Sequence, residues 1–318
     1  MRTAMYHWQD VPAALTEAFD PAAWVHLAFP FEDMVGPGEL WITALEPLSG
    51  AWPDLERREH IVCAGTTEEG DDWIGCCGHY TGTSVAPWLG IPPTGRQVAM
   101  RFHEYFRIQG GRVIEMQALW DIPEVMMQSG VWPMAPSLGR EWLTPGPATQ
   151  DGLGPHDPAL SVASLEIVRS MGQDMVKHPT EPAEAMNLER YWHPKFSWYG
   201  PAGIGTSRGI EGFRTVHQIP FLKALPNRRG IGGHFWSEGN YVAVTGWPDM
   251  DMTVSGDGWL GIVPPNTAIT MRSLDFWRVE AGLIRENWVL IDLLHVWDQL
   301  GVDVLGRMAE LPPRRGTT

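Results

Sequence analysis

The chain repeats itself. Residues 100–130, MRFHEYFRIQGGRVIEMQALWDIPEVMMQSG, return in altered form at 271–301 as MRSLDFWRVEAGLIRENWVLIDLLHVWDQLG. Set over one another without a gap, the copies match Met100 with Met271, Arg101 with Arg272, Arg107 with Arg278, Gly111 with Gly282, Glu115 with Glu286, Asp121 with Asp292 and Gly130 with Gly301. Roughly ten identities in about 31 positions, at one offset of about 171, far exceed the about two or three that chance supplies. WLGIPPTG from Trp88 falls on WLGIVPPN from Trp259 at the same offset, and GELWITALEPLSGAWPD from Gly38 follows EGFRTVHQIPFLKALPN from Glu211 after a slip of a residue or two. One unit of about 150 residues therefore occurs twice. The division expected is a first domain over 1–147, a Pro- and Gly-rich linker over 148–158 and a second domain over 159–318.

Each copy reads as a β-hairpin followed by a short helix. Apolar and polar residues alternate with period two over 271–279, and Ala281-Gly282 supplies a turn tolerant of positive φ. A turn centred on Gly282 sets Asp275 opposite Val289, Trp277 opposite Asn287 and Ser273 opposite Ile291, all on one face. In the first copy that face carries Phe102, Glu104, Phe106, Met116, Ala118 and Trp120. One carboxylate per unit, Glu104 or Asp275, thus stands among apolar and aromatic neighbours.

The formal net charge of −15 argues against nucleic acid and anionic membrane as partners, both of which need clustered Lys and Arg. No apolar run reaches the roughly 18 residues of a membrane helix, and MRTAMYHWQD lacks the features of a signal peptide, so a soluble, cytoplasmic protein is expected. Cys63, Cys76 and Cys77 have no metal-ligand spacing and read as small buried residues. Seventeen Trp favour a ligand with an aromatic body.

In each unit helices precede a run of strands that ends in the hairpin and a closing helix. This order predicts an α+β fold: two tandem cone-shaped barrel domains, each a curved antiparallel sheet wrapped on helices, with the hairpin as the floor of the cone.

The residues WYGPAGIGTSRGIEGF, the ALPN turn, WLGIPPTGR before a strand, and D-F-W-R-x-x-x-G-x-I-x-E-x-W followed by QLG resemble SnoaL-like polyketide cyclases of the nuclear transport factor 2-like superfamily. The resemblance covers most of both units. It implies cofactor-independent chemistry such as aldol-type cyclisation, isomerisation, dehydration or deformylation of lignin-derived diarylpropanes, although some relatives only bind ligands. The cyclase motif E-H-W-D has its acid/base Asp where this chain has Val289 and Ala118, and its His where this chain has Asn287 and Met116.

A carboxylate on an apolar wall has its charged form disfavoured and is tuned toward proton transfer near neutrality. Asp275 and Glu104 are therefore the first candidates, with His234, His79 and Tyr199 as proton shuttles or oxyanion donors. Tyr80, Trp88, Trp120, Trp198, Trp236, Trp247, Trp277 and Asn287 are expected to hold the substrate. His26, His60 and His217 read as core or surface histidines. Asp249 and Asp251 read as a solvated strand face, and no metal or other cofactor is expected. The function expected is a lyase of aldol or retro-aldol type on a hydrophobic aromatic substrate. An isomerase or dehydratase, or a non-catalytic ligand-binding pseudo-dimer, stands as the alternative, with homo-oligomers left open.

Overall fold

A computed structural model describes residues 7–178, 180–256, 258–263 and 266–311. In the first unit, β1 (Phe19–Leu27) and β2 (Glu32–Val35) lead into a helix running through Gly36–Leu40, Trp41–Leu45 and Glu46–Ala51, whose middle turn is π-helical. Then come β3 (Glu56–Thr66), β4 (Asp72–Thr83), β5 (Gln97–Gln109), β6 (Arg112–Trp120) and a closing helix, Ile122–Gln128. The second unit opens with the Ser161–Met175 helix and continues with β7 (Trp192–Tyr199) and β8 (Thr206–Arg208). Its own π-bulged helix runs through Gly209–Phe213, Arg214–Gln218 and Ile219–Ala224. Seven short strands follow: β9 (Arg229–Gly230), β10 (Phe235–Glu238), β11 (Tyr241–Val244), β12 (Met250–Thr253), β13 (Ala268–Met271), β14 (Ser273–Glu280) and β15 (Leu283–Ile291). The helices Leu293–Gln299 and Val304–Ala309 close it.

The hairpins form as their turns dictate. Gly110 and Gly111 have φ of 58° and 78°, and Ala281 and Gly282 have φ of 50° and 75°. Two successive positive φ values give the tight turn whose twist matches that of the flanking strands. Glu104 then faces Ala118, and Asp275 faces Val289, Trp277 faces Asn287 and Ser273 faces Ile291, the register read from the alternation.

The α+β class holds for both units, but the closed cone does not form. The first sheet has the order β2-β1-β6-β5-β4-β3, with β2 and β3 as its two edges. The second is split into β10-β11-β14-β15-β7-β8 and a separate β13-β12-β9. Closure needs the last strand to pair with the first, and no such ladder exists among the described residues. Nor is either sheet wholly antiparallel, since β1 runs parallel to β6 and β7 parallel to β15.

The two sheets pack back to back. Ile61, Cys63, Trp73, Cys77 and Tyr105 of the first meet Trp236, Tyr241, Phe276, Trp288 and Leu290 of the second in a core distinct from the units' interiors. Trp73 stacks on Trp236 at 5.7 Å, and Gly75 lies so close to Phe276 that a Cβ would come within 3.0 Å of the ring. At the ends of this seam the repeated Arg–Asp pairs reach across. Asp121 accepts from the Ala202 amide at 2.9 Å, and Asp292 from the Phe29 amide at 3.0 Å. Arg101 Nη2 lies 3.3 Å from Asp121 and donates to the Gly200 carbonyl at 2.7 Å; Arg272 Nη1 lies 3.4 Å from Asp292 while its Nη2 holds Glu32 at 2.6 Å. Residues 129–157, without helix or ladder strand, strap the seam: Gly152 accepts from Val62, and Trp288 donates to Pro145. No helix among the described residues is long and apolar enough to cross a membrane.

Removing Arg101 leaves Asp121 buried without its cation, a loss of about 3–5 kcal/mol. Arg272 likewise leaves Asp292 behind, but its other partner, Glu32, is partly exposed, whereas Arg101 also serves the buried carbonyls of Tyr199 and Gly200, which would lose their donor. Arg101→Met should therefore lower the urea unfolding midpoint clearly more than Arg272→Met; equal midpoints would mean that the seam does not rely on the buried pair.

Candidate active site

The hairpin carboxylates meet opposite fates. Glu104 is 1% exposed with both oxygens engaged. Arg57 Nη1 donates to Oε2, while the Tyr80 hydroxyl and the Trp120 indole donate to Oε1 at 3.0 and 2.9 Å. The Arg57 guanidinium covers the Phe102 ring at 4.1 Å, and Trp88 packs beside Trp120 and Trp52. The space in front of Glu104 is filled by its own ion pair.

In the second unit the same positions are occupied by smaller or apolar side chains. Arg57 lies opposite Tyr80, which pairs with Met100; there Gly230 lies opposite Met250, which pairs with Met271. Trp120, opposite Phe102, becomes Ile291, opposite Ser273. Gly230, Met250 and Ile291 line a cavity of about 710 Å³, together with Trp192, Trp198, Phe213, Phe221, Trp277, Asn287 and Asp275. The long edge strand β3 has only β9 and β10 as counterparts, with Gly232 and Gly233 between them at the cavity wall.

A second carboxylate joins Asp275 because the neighbouring strand is interrupted. In the first unit only His79 separates Gly78 from Tyr80; in the second, Trp247, Pro248 and Asp249 separate Gly246 from Met250, and Asp249 turns into the cavity. The Ser273 hydroxyl stands 3.1 Å from Asp249 Oδ2 and 3.4 Å from Asp275 Oδ1. A hydroxyl has one proton to give, so both contacts are satisfied together only when one carboxyl holds a proton. Burial raises Asp249 to about 7; burial and then the charge of Asp249 raise Asp275 well above the usual carboxylate range. Asp249 Oδ1 is buried without a partner.

The other candidates separate by sheet face. Trp198, Trp277 and Asn287 line the cavity, and Asn287 donates to the Phe276 carbonyl at 3.0 Å. Tyr80, Trp88 and Trp120 lie in the filled interior of the first unit. His79, Tyr199 and Trp236 point the other way, into or beside the seam. His79 shares a 2.8 Å hydrogen bond with His60, Tyr199 donates to Glu286 at 3.1 Å, and Trp236 donates to the Cys63 carbonyl at 3.0 Å. His234 is exposed, 3.2 Å from Glu69, and Trp247 lies outside under Arg272 at 4.7 Å. These five were expected in the cone; alternation groups residues by face but does not say which face is hollow. Asp251 is on a solvated face, as expected, paired to Arg229, whereas Asp249 is not.

His217, expected as a core or surface histidine, lines the cavity. The π-helical turn Arg214–Gln218 sets it in the cavity wall, stacked on Trp198 at 4.4 Å, with Nδ1 buried and unpartnered. Burial and then the nearby Arg228 hold its imidazole neutral, at about 3. Ala44 takes the corresponding place in the π turn of the first unit, a contrast that the offset of the repeat could have flagged.

Together these features define a tandem α+β protein with one carboxylate-lined hollow and one plugged counterpart; among the described residues no group of His, Cys, Asp and Glu is arranged to hold a metal. The chain belongs to the SnoaL-like polyketide cyclase family, which matches twice, over residues 5–129 and 174–300. No curated protein matches it. Among solved structures it is similar to IdmH of Streptomyces antibioticus, described as a polyketide cyclase, at 20% identity over 41% of this chain and 92% of that one, TM-score 0.35. It is also similar to a SnoaL-like polyketide cyclase of Jannaschia sp. (27% identity, 36% and 76% covered, TM-score 0.31) and to an NTF2-like protein of Burkholderia xenovorans (15%, 44% and 96%, 0.35).

Two outcomes are expected. Met250→Tyr with Ile291→Trp rebuilds part of the first unit's plug, so binding of the fluorescent dye 1-anilinonaphthalene-8-sulfonate should fall about tenfold or more; undiminished binding would place the dye elsewhere. Asp249 titrates near 7 folded but near 3.8 unfolded, so the folded state binds more protons in that window, and stability from this group falls as pH rises from about 4 through 7. The stability of Asp249→Asn relative to the parent, measured by thermal melting, should therefore climb across that window.

Proposed function

We propose that the second unit is a cofactor-independent acid–base site in which the Asp249 and Asp275 pair moves a proton on a hydrophobic aromatic substrate, making or breaking a carbon–carbon bond by aldol-type chemistry. The observation that carries this reading is the carboxyl pair bridged by Ser273 at the wall of an aromatic-lined cavity. Burial and mutual repulsion let one member hold a proton at neutral pH while the other is free to accept one. In cleavage, the ionised carboxylate removes the proton of a substrate hydroxyl placed β to a carbonyl. Its electron pair forms the new C=O, the C–C bond breaks toward the carbonyl to leave an enolate, and the protonated carboxyl returns a proton to the enolate carbon. Run backwards, the same steps close a ring, the reaction for which the family is named.

A second reading, a ligand binder without turnover, is favoured by Val289, which occupies the position of the cyclase motif's Asp.

A panel of aromatic β-hydroxy ketones, followed by chromatography and trapping of the aldehyde released, tests the proposal. Asp275→Asn should lower kcat/KM by about 10² or more with little change in ligand affinity, as loss of a general base does. Glu104→Gln, far from the cavity, should leave the residual folded enzyme active. Full turnover by Asp275→Asn would sink the proposal and leave the binder.

A further inference from the structure

We propose that the second cavity takes its aromatic ligand as an anion, a carboxylate or an ionised enol or phenol, whose charged oxygen sits on Arg228 and His217. The inference deepens the proposed function and rests on the second cavity being the ligand site.

The charges on the cavity wall do not balance. Glu68 and Glu69, from the turn between β3 and β4 of the first unit, reach the rim and pair with Arg169 at 3.1 Å and His234 at 3.2 Å. Asp249 and Asp275 share Ser273. Arg228 has no carboxylate partner among the described residues. Its guanidinium donates to two backbone carbonyls, Met175 at 2.8 Å and His178 at 3.0 Å, at the end of the Ser161–Met175 helix. These bonds aim the guanidinium and engage two of its five N–H donors, leaving others for a ligand. Closing a helix end does not by itself require a half-buried cation. In a chain of net charge −15 a cation left without a carboxylate is the less expected arrangement.

His217 completes the recess. Its ring is caged by Trp198, Phe213 and Phe221 at 4.4, 5.5 and 5.1 Å, and the Phe221 ring also lies 5.9 Å from the Arg228 guanidinium carbon. The indole N–H groups of Trp192 and Trp277, also on the cavity wall, are buried without partners. Apart from the carboxyl pair, the unpartnered groups of the wall are therefore mainly donors set among rings. The matching ligand offers a flat apolar body and acceptor oxygens, one of them ionised; a guanidinium binds such an oxygen more strongly than a neutral carbonyl. Burial lowers Arg228 to about 10, which leaves it charged at neutral pH.

The probes are 2-naphthoate and its neutral counterpart 2-naphthamide, with dissociation constants from isothermal calorimetry on the full chain at pH 7.5. Naphthoate should bind at least about tenfold more tightly. Arg228→Gln, which can still donate to the carbonyls, should erase the preference, and Arg228→Lys should keep part of it. Glu104→Gln, in the plugged first unit, should show the same preference as the parent, and equilibrium binding is read independently of turnover. Equal affinity for the two probes, failure of both to bind, or a preference that survives in a folded Arg228→Gln protein would overturn the inference.

Discussion

The two large sheets of this protein are covered on both faces over most of their central strands. One face packs under the unit's own helices and the other against the sister sheet; β4 is buried almost without interruption from Trp73 to Gly82. Such an arrangement is stable only if the polar groups at the seam find partners there, because an unpaired buried group costs about 1–3 kcal/mol. The repeated Arg–Asp pair meets that requirement at both ends, each Asp accepting from an amide in the other unit's loop after its first strand. The two units are thus one folded body, and the hollow in one rests on the solidity of the other.

Against that shared frame, the difference between the units is a matter of volume and charge. Arg57, Tyr80 and Trp120 fill the first interior and satisfy Glu104; Gly230, Met250 and Ile291 leave the second interior open, and Asp275 has no ion pair among the described residues. An arginine beside a buried carboxylate favours its charged form, which suits structure and works against proton transfer. A second carboxylate in the same place does the reverse. Two interiors built on one plan have been tuned in opposite directions by a few side chains.

Much of this was legible in the sequence. The repeat, the hairpin register and the position of both carboxylates follow from a strict period of two and from turn residues that accept positive φ. What stayed hidden depended on features without periodicity. Asp249 enters the cavity because two extra residues interrupt its strand, and His217 because a π turn rotates it inward. His79, Tyr199 and Trp236 were expected in the cone because alternation assigns residues to a face, yet with both faces dry the pattern cannot tell a ligand cavity from a packed seam. The expectation of a closed barrel failed for a related reason: strand number and order do not say whether the edges meet.

The placement of Glu68 and Glu69 on the rim of the neighbouring hollow has a consequence for how this molecule can diverge. In a symmetric assembly of identical subunits, any substitution in a hairpin tip is copied to both mouths, so neither entrance can change alone. Joined in one polypeptide, the halves escape that constraint. The tip of the first unit is free to drift with the entrance it guards, while its counterpart at Glu238 stays committed to the Ala64 amide. Fusion thereby turns one half into an independently mutable doorway for the other.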